Sequence, residues 1–490
     1  MALNDKKVIN GWAMYDWANS VYSLVITSTI FPIYYTSVTT SKNGSNLVSF
    51  FGTKITNTVL FSYSISFSFL VLAVLLPILS GIADYSGSKK NFMKFFAWLG
   101  SASCASLYFF TGDNVEYGII CSVMASIGFG GSLVFYNAYL PEIASPENYD
   151  RVSAKGYALG YIGSVLLMIV NLLMVQHKTW FGFSNDPTSF WGSATLPPRI
   201  VFITVGLWWA GFSQITFARL PKGTARPADG NIILKGFNEL VKVWNSLKKL
   251  PHARNFLISF FFYDLGVQTI MLLAATYGSA KLDLDSSVLI LTILLIQIVA
   301  IGGAYLFAWV SKIKGNIFSL SFMLFIWIGT CTSIFFINPV SPAAIQKNLD
   351  AKLKTEATLH PGIAISDTRL TEIKAAAKKE LQGPVELEFE IVGFLVGLIM
   401  GGVQSLSRAT YSKLLPDTED HASYFSFYDV AEKICIVLGT ALFGWMEQIT
   451  GDMRNSVYPL LISFIIGLIV LQTAKSPKLK ALKSAVGIRT

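Results

Sequence analysis

Two apolar runs, Val59 to Leu79 and Phe92 to Phe110, are separated by only about a dozen residues. Each is long enough to cross a ~30 Å hydrocarbon layer as a helix. In lipid the backbone must satisfy its own hydrogen bonds, which leaves helices as the available form for such runs. The connection carries Lys89, Lys90 and Lys94. It therefore reads as a tight hairpin on the positively charged, cytoplasmic side of a membrane. Marking similar runs along the chain gives twelve spans, the first from about Gly11 to Val38 and the last ending near Thr473. The expected fold is an all-α membrane protein of twelve transmembrane helices.

Of the 490 residues, 53% are hydrophobic and 14% charged, and the mean hydropathy is +0.53, which rules out an ordinary soluble domain. A net charge of +9 is compatible with a nucleic-acid partner, but its placement argues otherwise. Of 38 Lys and Arg, 24 fall on the inner side, 13 on the outer and Lys433 within a span, and seven of the outer ones share one long loop. Short loops carry the orienting signal, so the surplus encodes topology, with both chain ends inside, and no nucleic-acid partner is expected. Cys104, Cys121, Cys331 and Cys435 stand singly in apolar runs, so neither a metal site nor a disulfide framework is expected. Lys6 and Lys7 precede a first span too long for a signal peptide.

Polar side chains inside the spans mark the candidate site, because lipid-facing positions do not tolerate them. In the first span Tyr15, Asn19 and Tyr22 share a face, and Asp16, Ser20 and Ser23 form the next stripe, with Trp12 and Trp17 placed as interface anchors. The fourth span holds Gly128, Gly130 and Gly131 and ends with Tyr136 and Asn137. In the fifth, Gly156, Gly160 and Gly163 line one face, with Tyr157, Tyr161 and Ser164 beside it. Asp264 lies about ten residues, or ~15 Å, into the seventh span, where a carboxylate costs roughly 2.5–3.5 kcal/mol, and Gln268 follows one turn later. The tenth span ends Gln404 to Arg408, and the eleventh carries Asp429, Glu432 and Lys433 within one turn.

The hairpin reads Gly81-x-x-Asp84-x-x-Gly87-x-Lys89-Lys90. Its position between the second and third spans, and its spacing, resemble the signature loop of the major facilitator superfamily. Asp84 can there accept hydrogen bonds from a neighbouring helix N-terminus, forming a latch in one conformation only. Tyr15 to Tyr22, Phe31 to Tyr35, Tyr136 to Glu142 and Arg151 to Ser164 resemble one branch, the vacuole-effluxer-like proteins. That branch is named for a fungal vacuolar amino-acid effluxer linked to autophagy and also occurs in bacteria. The resemblance implies the major facilitator fold, two pseudo-symmetric six-helix bundles, and two internal echoes agree with its parallel repeats. Tyr263-Asp264 matches Tyr15-Asp16, and Tyr411-x-x-x-Leu415-Pro416-Asp417 matches Tyr136-x-x-x-Leu140-Pro141-Glu142. The loop's second copy is degraded, with Trp309 in place of the aspartate. Asp264 also sits one position earlier than the branch pattern, about 100° away on a helix.

The domains expected are a bundle at 1–218, a linker at 219–254 and a second bundle at 255–490. In the linker, Ile233, Phe237, Leu240, Trp244 and Leu247 repeat at helical spacing, as in an amphipathic helix on the inner membrane surface. An external insertion at 338–388 reads as a small helical hairpin, its second arm closed by Gly383 and Pro384.

No nucleophile–base pair or phosphate-cradling loop is present, so no enzyme and no cofactor are expected. The reading is a monomeric secondary transporter, in a bacterial inner membrane, moving a small polar metabolite such as an amino acid. Export and proton coupling belong to this reading, with the proton carrier sought among Asp16, Asp264, Asp429 and Glu432. The substrate cavity is assigned to Asp16, Asn19, Tyr136, Asn137, Tyr157, Tyr161, Asp264, Gln268 and Gln404. Gating is assigned to Gly81, Asp84, Gly87, Lys89, Lys90, Arg408, Asp429, Glu432 and Lys433. The alternatives are a drug, sugar or peptide permease, or a membrane receptor or scaffold that moves nothing.

Overall fold

The computed structural model describes residues 3–41, 45–184, 186, 189, 192–221, 223, 232–360 and 365–476. Lys478, Lys480 and Lys483, expected to hold the tail inside, lie outside the described residues.

The first span is continuous: α1 (Lys6–Val21), a π-helical segment Tyr22–Ile30 and α2 (Phe31–Thr39). Within the wider π turn, the Ser28 and Thr29 hydroxyls donate to the carbonyls of Ser23 and Leu24, five residues back, at 2.9 and 2.7 Å. A two-stranded hairpin follows, β1 (Leu47–Phe50) antiparallel to β2 (Thr53–Thr56), with Val48 opposite Ile55. Its two-residue turn has positive φ at Phe51 and Gly52, the geometry that matches strand twist. The remaining spans of the first half are α3 (Asn57–Ser86), α4 (Lys89–Ser106), α5 (Val115–Ala138), then after the short α6 (Leu140–Ile143), α7 (Tyr149–Gln176) and α8 (Leu196–Arg219). The linker helix α9 (Ile232–Lys249) leads to α10 (Pro251–Leu282), α11 (Ser286–Lys314) and α12 (Asn316–Ser333). The outer arm α13 (Pro342–Leu359) precedes α14 (Asp367–Leu414), α15 (His421–Thr450) and α16 (Val457–Leu471). Among the described residues, ten helices are long and apolar enough by composition to cross a membrane. Two further spans expected from the sequence, α4 and α15, carry the lysines and acids of the hairpin and the eleventh span.

Glycine sets how closely the spans pack. On α5, a Cβ at Gly128 would strike the backbone of Gly100 on α4. On α7, Cβ atoms at Gly156, Gly160 and Gly163 would meet Asp16, Ser20 and Trp17 of α1. The small-residue face thus brings α7 against the polar stripe of the first span.

Three local expectations change. The stop at Gly383-Pro384 does not occur, and α14 runs through both residues for 48 residues. Gly383 keeps a helical φ, and α13 packs Leu349 and Leu353 on Ile373 and Ala377. That small core fixes the turns before Pro384, so the missing N–H does not break the helix. The outer hairpin is therefore one arm of the tenth span, tied to the second half by Gln382 donating to the Asp283 carbonyl at 2.8 Å. Second, Trp12 is fully buried rather than at an interface, its indole N–H on the Tyr136 carbonyl at 2.9 Å, and Trp17 stacks on Trp208. Third, the α9 row splits: Leu247 is buried whereas Phe237 and Trp244 are exposed. The Ile233 side chain lies outside the described set.

Candidate functional site

A cavity of about 250 Å³ lies between the halves. The π segment and α1 supply one wall, from Asp16 and Asn19 out to Ser28, and α10, α14 and α15 supply the opposite one. Of the residues assigned to it from sequence, Asp16, Asn19, Asn137, Tyr157, Tyr161, Gln268 and Gln404 line it. Tyr136 and Asp264 do not. Tyr136 stands behind, its hydroxyl donating to Asp16 Oδ2 at 2.6 Å. Asp264 is 3% exposed, turned inward, and accepts from Gln268 at 3.3 Å. Its Oδ2 has no hydrogen-bond partner among the described residues.

Arg408, Glu432 and Lys433, assigned to gating, also line the cavity. Arg408 projects from α14 into the first half and places four of its five N–H donors there. Nε donates to the Ser153 hydroxyl at 2.9 Å, Nη1 to Asn137 Oδ1 at 3.2 Å, and Nη2 to the Ser153 carbonyl at 3.0 Å and Asp16 Oδ2 at 3.4 Å. Its guanidinium lies over the rings of Trp12, Tyr136 and Tyr157. Such a fork is what a planar guanidinium offers and an ammonium does not. Asn137 continues the chain by donating to Asp429 Oδ1 at 3.4 Å. The order Asp16, Arg408, Asn137, Asp429 alternates between halves at every step. Two further bonds cross beside it: Tyr161 to Gln404 at 2.6 Å and Ser153 to the Ser405 carbonyl at 2.7 Å. Lys433 pairs with Glu432 at 2.9 Å and sits over the Phe69 ring.

The hairpin residues form a second layer, at the end of the bundle where α4 and α15 begin. Gly87 closes α3 in the left-handed conformation at φ 66°, which turns the chain into α4. Asp84 accepts the N–H of Ala422 at 3.2 Å and of Ser423 at 2.7 Å, at the start of α15. It caps that helix from the opposite half. Asp420, at the helix's own cap position, is turned away toward Lys242 and Thr418. Burial pushes the Asp420 carboxyl up, but hydrogen bonding with Glu239 and Lys242 outweighs this and holds it below its ordinary range. Lys89 bridges Asp84 at 3.5 Å and pairs closely with Glu142, while Lys90 donates to the Leu220 carbonyl at 2.8 Å. Gly81 carries no Cβ because the Gly236 carbonyl of α9 occupies that space.

A third cluster escaped the sequence reading. Asp150, in the first turn of α7, accepts from Lys413 at 2.7 Å, Ser311 at 2.8 Å and Asn316 at 2.8 Å, and Lys413 also donates to Asn316 at 2.9 Å. Asp150 and Lys413 are both buried. The degraded loop copy, Ser311 to Asn316, is the signal that could have found it: a lost aspartate leaves donors in need of an acid from elsewhere. The echo of Tyr136 at Tyr411 also diverges in chemistry, since the Tyr411 hydroxyl donates to the Tyr424 carbonyl and not to Asp264.

Comparison with known proteins adds the following. A sequence profile described as vacuole effluxer Atg22 like matches residues 4–337 and 383–481. The chain is 29% identical over 466 residues to an uncharacterized MFS-type transporter, YxiO, of Bacillus subtilis (strain 168), covering 94% of this chain and 93% of that one. It is 22% identical over 496 residues to autophagy-related protein 22-1 of Penicillium rubens, covering 86% and 76%. Solved structures with a similar fold include the E. coli fucose:proton symporter FucP, at TM-score 0.58, 12% identity and coverage of 96% and 98%. The proton:xylose symporter XylE matches at TM-score 0.60, 12% identity and coverage of 97% and 98%. At these identities the likeness concerns the fold.

Proposed function

The chain belongs to the vacuole effluxer Atg22-like family of the major facilitator superfamily, and we propose that it is a secondary active transporter exporting a small polar metabolite of the amino-acid class. It works by alternating access, with protons as the coupling ion, in a bacterial inner membrane with both termini inside. The observation that carries this reading is the alternation of halves along Asp16, Arg408, Asn137 and Asp429. Each bond along that chain joins parts that must separate if the inner face is to open. A receptor that moves nothing has no need of such a floor.

The substrate class is supported by the charges lining the cavity. Its charged lining residues, Asp16, Arg408, Glu432 and Lys433, come as two acid–base pairs. An incoming carboxylate and ammonium can exchange with such pairs without leaving a buried charge alone. The proton is assigned to the carboxyls of Asp264 and Asp429, whose Oδ2 atoms are buried without hydrogen-bond partners among the described residues. An inner face sealed by Asp84, Arg408 and Asp150 is the outward-facing member of the cycle.

The test is efflux from proteoliposomes loaded with single labelled amino acids, with and without an imposed pH gradient. Gradient-dependent efflux that Asp264→Asn abolishes supports the reading. Efflux indifferent to both the gradient and the substitution removes proton coupling, and no efflux of any amino acid removes the substrate class.

A further inference from the structure

The linker helix α9 divides its surface three ways. Stepping 100° per residue from position 234, Gly236, Val243 and Leu247 cluster near 200° and are buried. Trp244, Phe237 and Val241 lie between about 280° and 340° and are 50%, 51% and 41% exposed. Lys248 falls inside that apolar arc, with its ammonium 5.3 Å from the centre of the Trp244 ring. Asn245, Asn238, Lys249 and Lys242 occupy about 20° to 80° and are exposed. One arc is protein, the next is apolar with a lysine reaching along it, and the last is polar. A helix bounded only by protein and water has no use for the middle arc. A helix at a membrane edge does, and lysines on it complement anionic headgroups.

The helix touches both sides of the inner-face latch, through its protein arc and through residues at the edges of the other two. Gly236 lies on Gly81 and Ile82 of α3, two turns or less from Asp84. On the other side Lys242 reaches Asp420 at 3.1 Å, Ser246 accepts from the Tyr424 hydroxyl at 2.8 Å, and Trp244 packs on Phe427 at 5.5 Å. Those three residues flank Ala422 and Ser423, whose N–H groups Asp84 caps. The helix therefore bridges the two elements that the latch joins, one from each half.

We propose that α9 is a membrane-seated brace, whose apolar arc and lysines lie in the headgroup layer of an anionic inner leaflet and whose seating there favours the closed inner face. A lipid surface shifts a conformational equilibrium only through a difference in binding between the states. That difference arises here because α9 is held in one orientation by α3 and α15 together. When the two part, the helix keeps at most one of its two anchors, and its apolar arc is no longer fixed toward the bilayer.

The test uses the full chain reconstituted in vesicles of phosphatidylcholine alone or with added phosphatidylglycerol. Nitroxides at Val241→Cys and at Asn245→Cys report depth by collision with oxygen and with a water-soluble nickel chelate. Position 241 is expected to favour oxygen and position 245 nickel. A label pair at Ser88→Cys and Asp417→Cys reports the closed-to-open ratio of the inner face. Phosphatidylglycerol is expected to raise that ratio about five-fold per lysine engaged, and Lys248→Gln with Lys249→Gln to remove the rise. The proposal is overturned if position 241 is as open to nickel as position 245, or is shielded from both agents as a protein partner would shield it. It is equally overturned if the ratio ignores lipid charge. Depth is read without transport, so its outcome is separate from that of the exporter reading.

Discussion

Asp150 and Lys413 belong to opposite halves of the molecule, and the Lys413 ammonium lies 2.7 Å from Asp150 Oδ2 in a buried contact. Asp84, in the same layer, also reaches from the first half to donors of the second. A duplicated protein with two intact loops would place one acid in each half. Here the second loop has lost its acid and offers Ser311 and Asn316 as donors, and the acid comes from the start of α7. Both locks thus put the carboxylate in the first half.

Asp150→Asn leaves the Lys413 ammonium buried without its counter-charge, which costs roughly 3–5 kcal/mol for a pair of this kind. That cost falls on the closed inner face, so the open form should gain and the melting temperature should fall. Asp150→Lys alone should be worse still. Combined with Lys413→Asp it should recover much of the loss, because the pair is restored in reverse. Thermal unfolding of the parent, Asp150→Lys, Lys413→Asp and the double variant in detergent measures the coupling, and a double variant no better than the worse single one refutes a direct pair.

Arg408→Lys keeps the charge and removes the fork. An ammonium can serve Asp16 or Asn137, but it does not also hold the Ser153 hydroxyl and carbonyl as Arg408 does at 2.9 and 3.0 Å. Two or more buried acceptors lose their donor, at ~1–3 kcal/mol each. Transport in proteoliposomes is expected to fall by about ten-fold or more. Transport within two-fold of the parent would mean that the fork is dispensable.

Gly156 has no room for a side chain, since its Cβ would fall among the Asp16 carboxylate, the Tyr136 hydroxyl and the Arg408 guanidinium. Gly156→Ala should therefore weaken transport more than it weakens folding, because the atoms displaced are polar groups of the cavity floor. Gly211, where nothing lies near the Cβ position, is the matched control. Gly211→Ala should leave transport unchanged, and equal losses at the two sites would show a general packing effect.

The spans were legible because an apolar run of about twenty residues has few other fates. The inner-face hairpin was legible because Gly87, Asp84 and Lys89 carry spacing and chemistry together. What the sequence hid were partners brought together from distant segments. Arg408 reads as a charge at a helix end, and only packing against α1, α5 and α7 turns it into the centre of the floor. Asp150 reads as an ordinary first-turn acid. Pro384 reads as a stop because nothing local announces that α13 will hold the preceding turns in place. Tyr411 reads as a repeat of Tyr136, since a duplicated string fixes position and not hydrogen-bond partner.

Asp84→Asn separates the charge of the latch from its shape. The carboxylate gives one oxygen to each of two N–H groups, at 3.2 and 2.7 Å. The amide has a single oxygen, so one N–H of α15 must face its NH2 group, and the Lys89 contact at 3.5 Å loses its charge. Leaving one donor unpaired costs ~1–3 kcal/mol, which is about five- to 150-fold in the closed-to-open ratio. The α15 N-terminus also loses the anion that favours its dipole. Modification of Ser426→Cys, buried on α15 just beyond the capped turn, should quicken accordingly in the Asp84→Asn background. Asp84→Glu keeps both oxygens on a longer arm and should lie between the two. A labelling rate unchanged by Asp84→Asn would mean that the inner face is held by Arg408 and Asp150 alone.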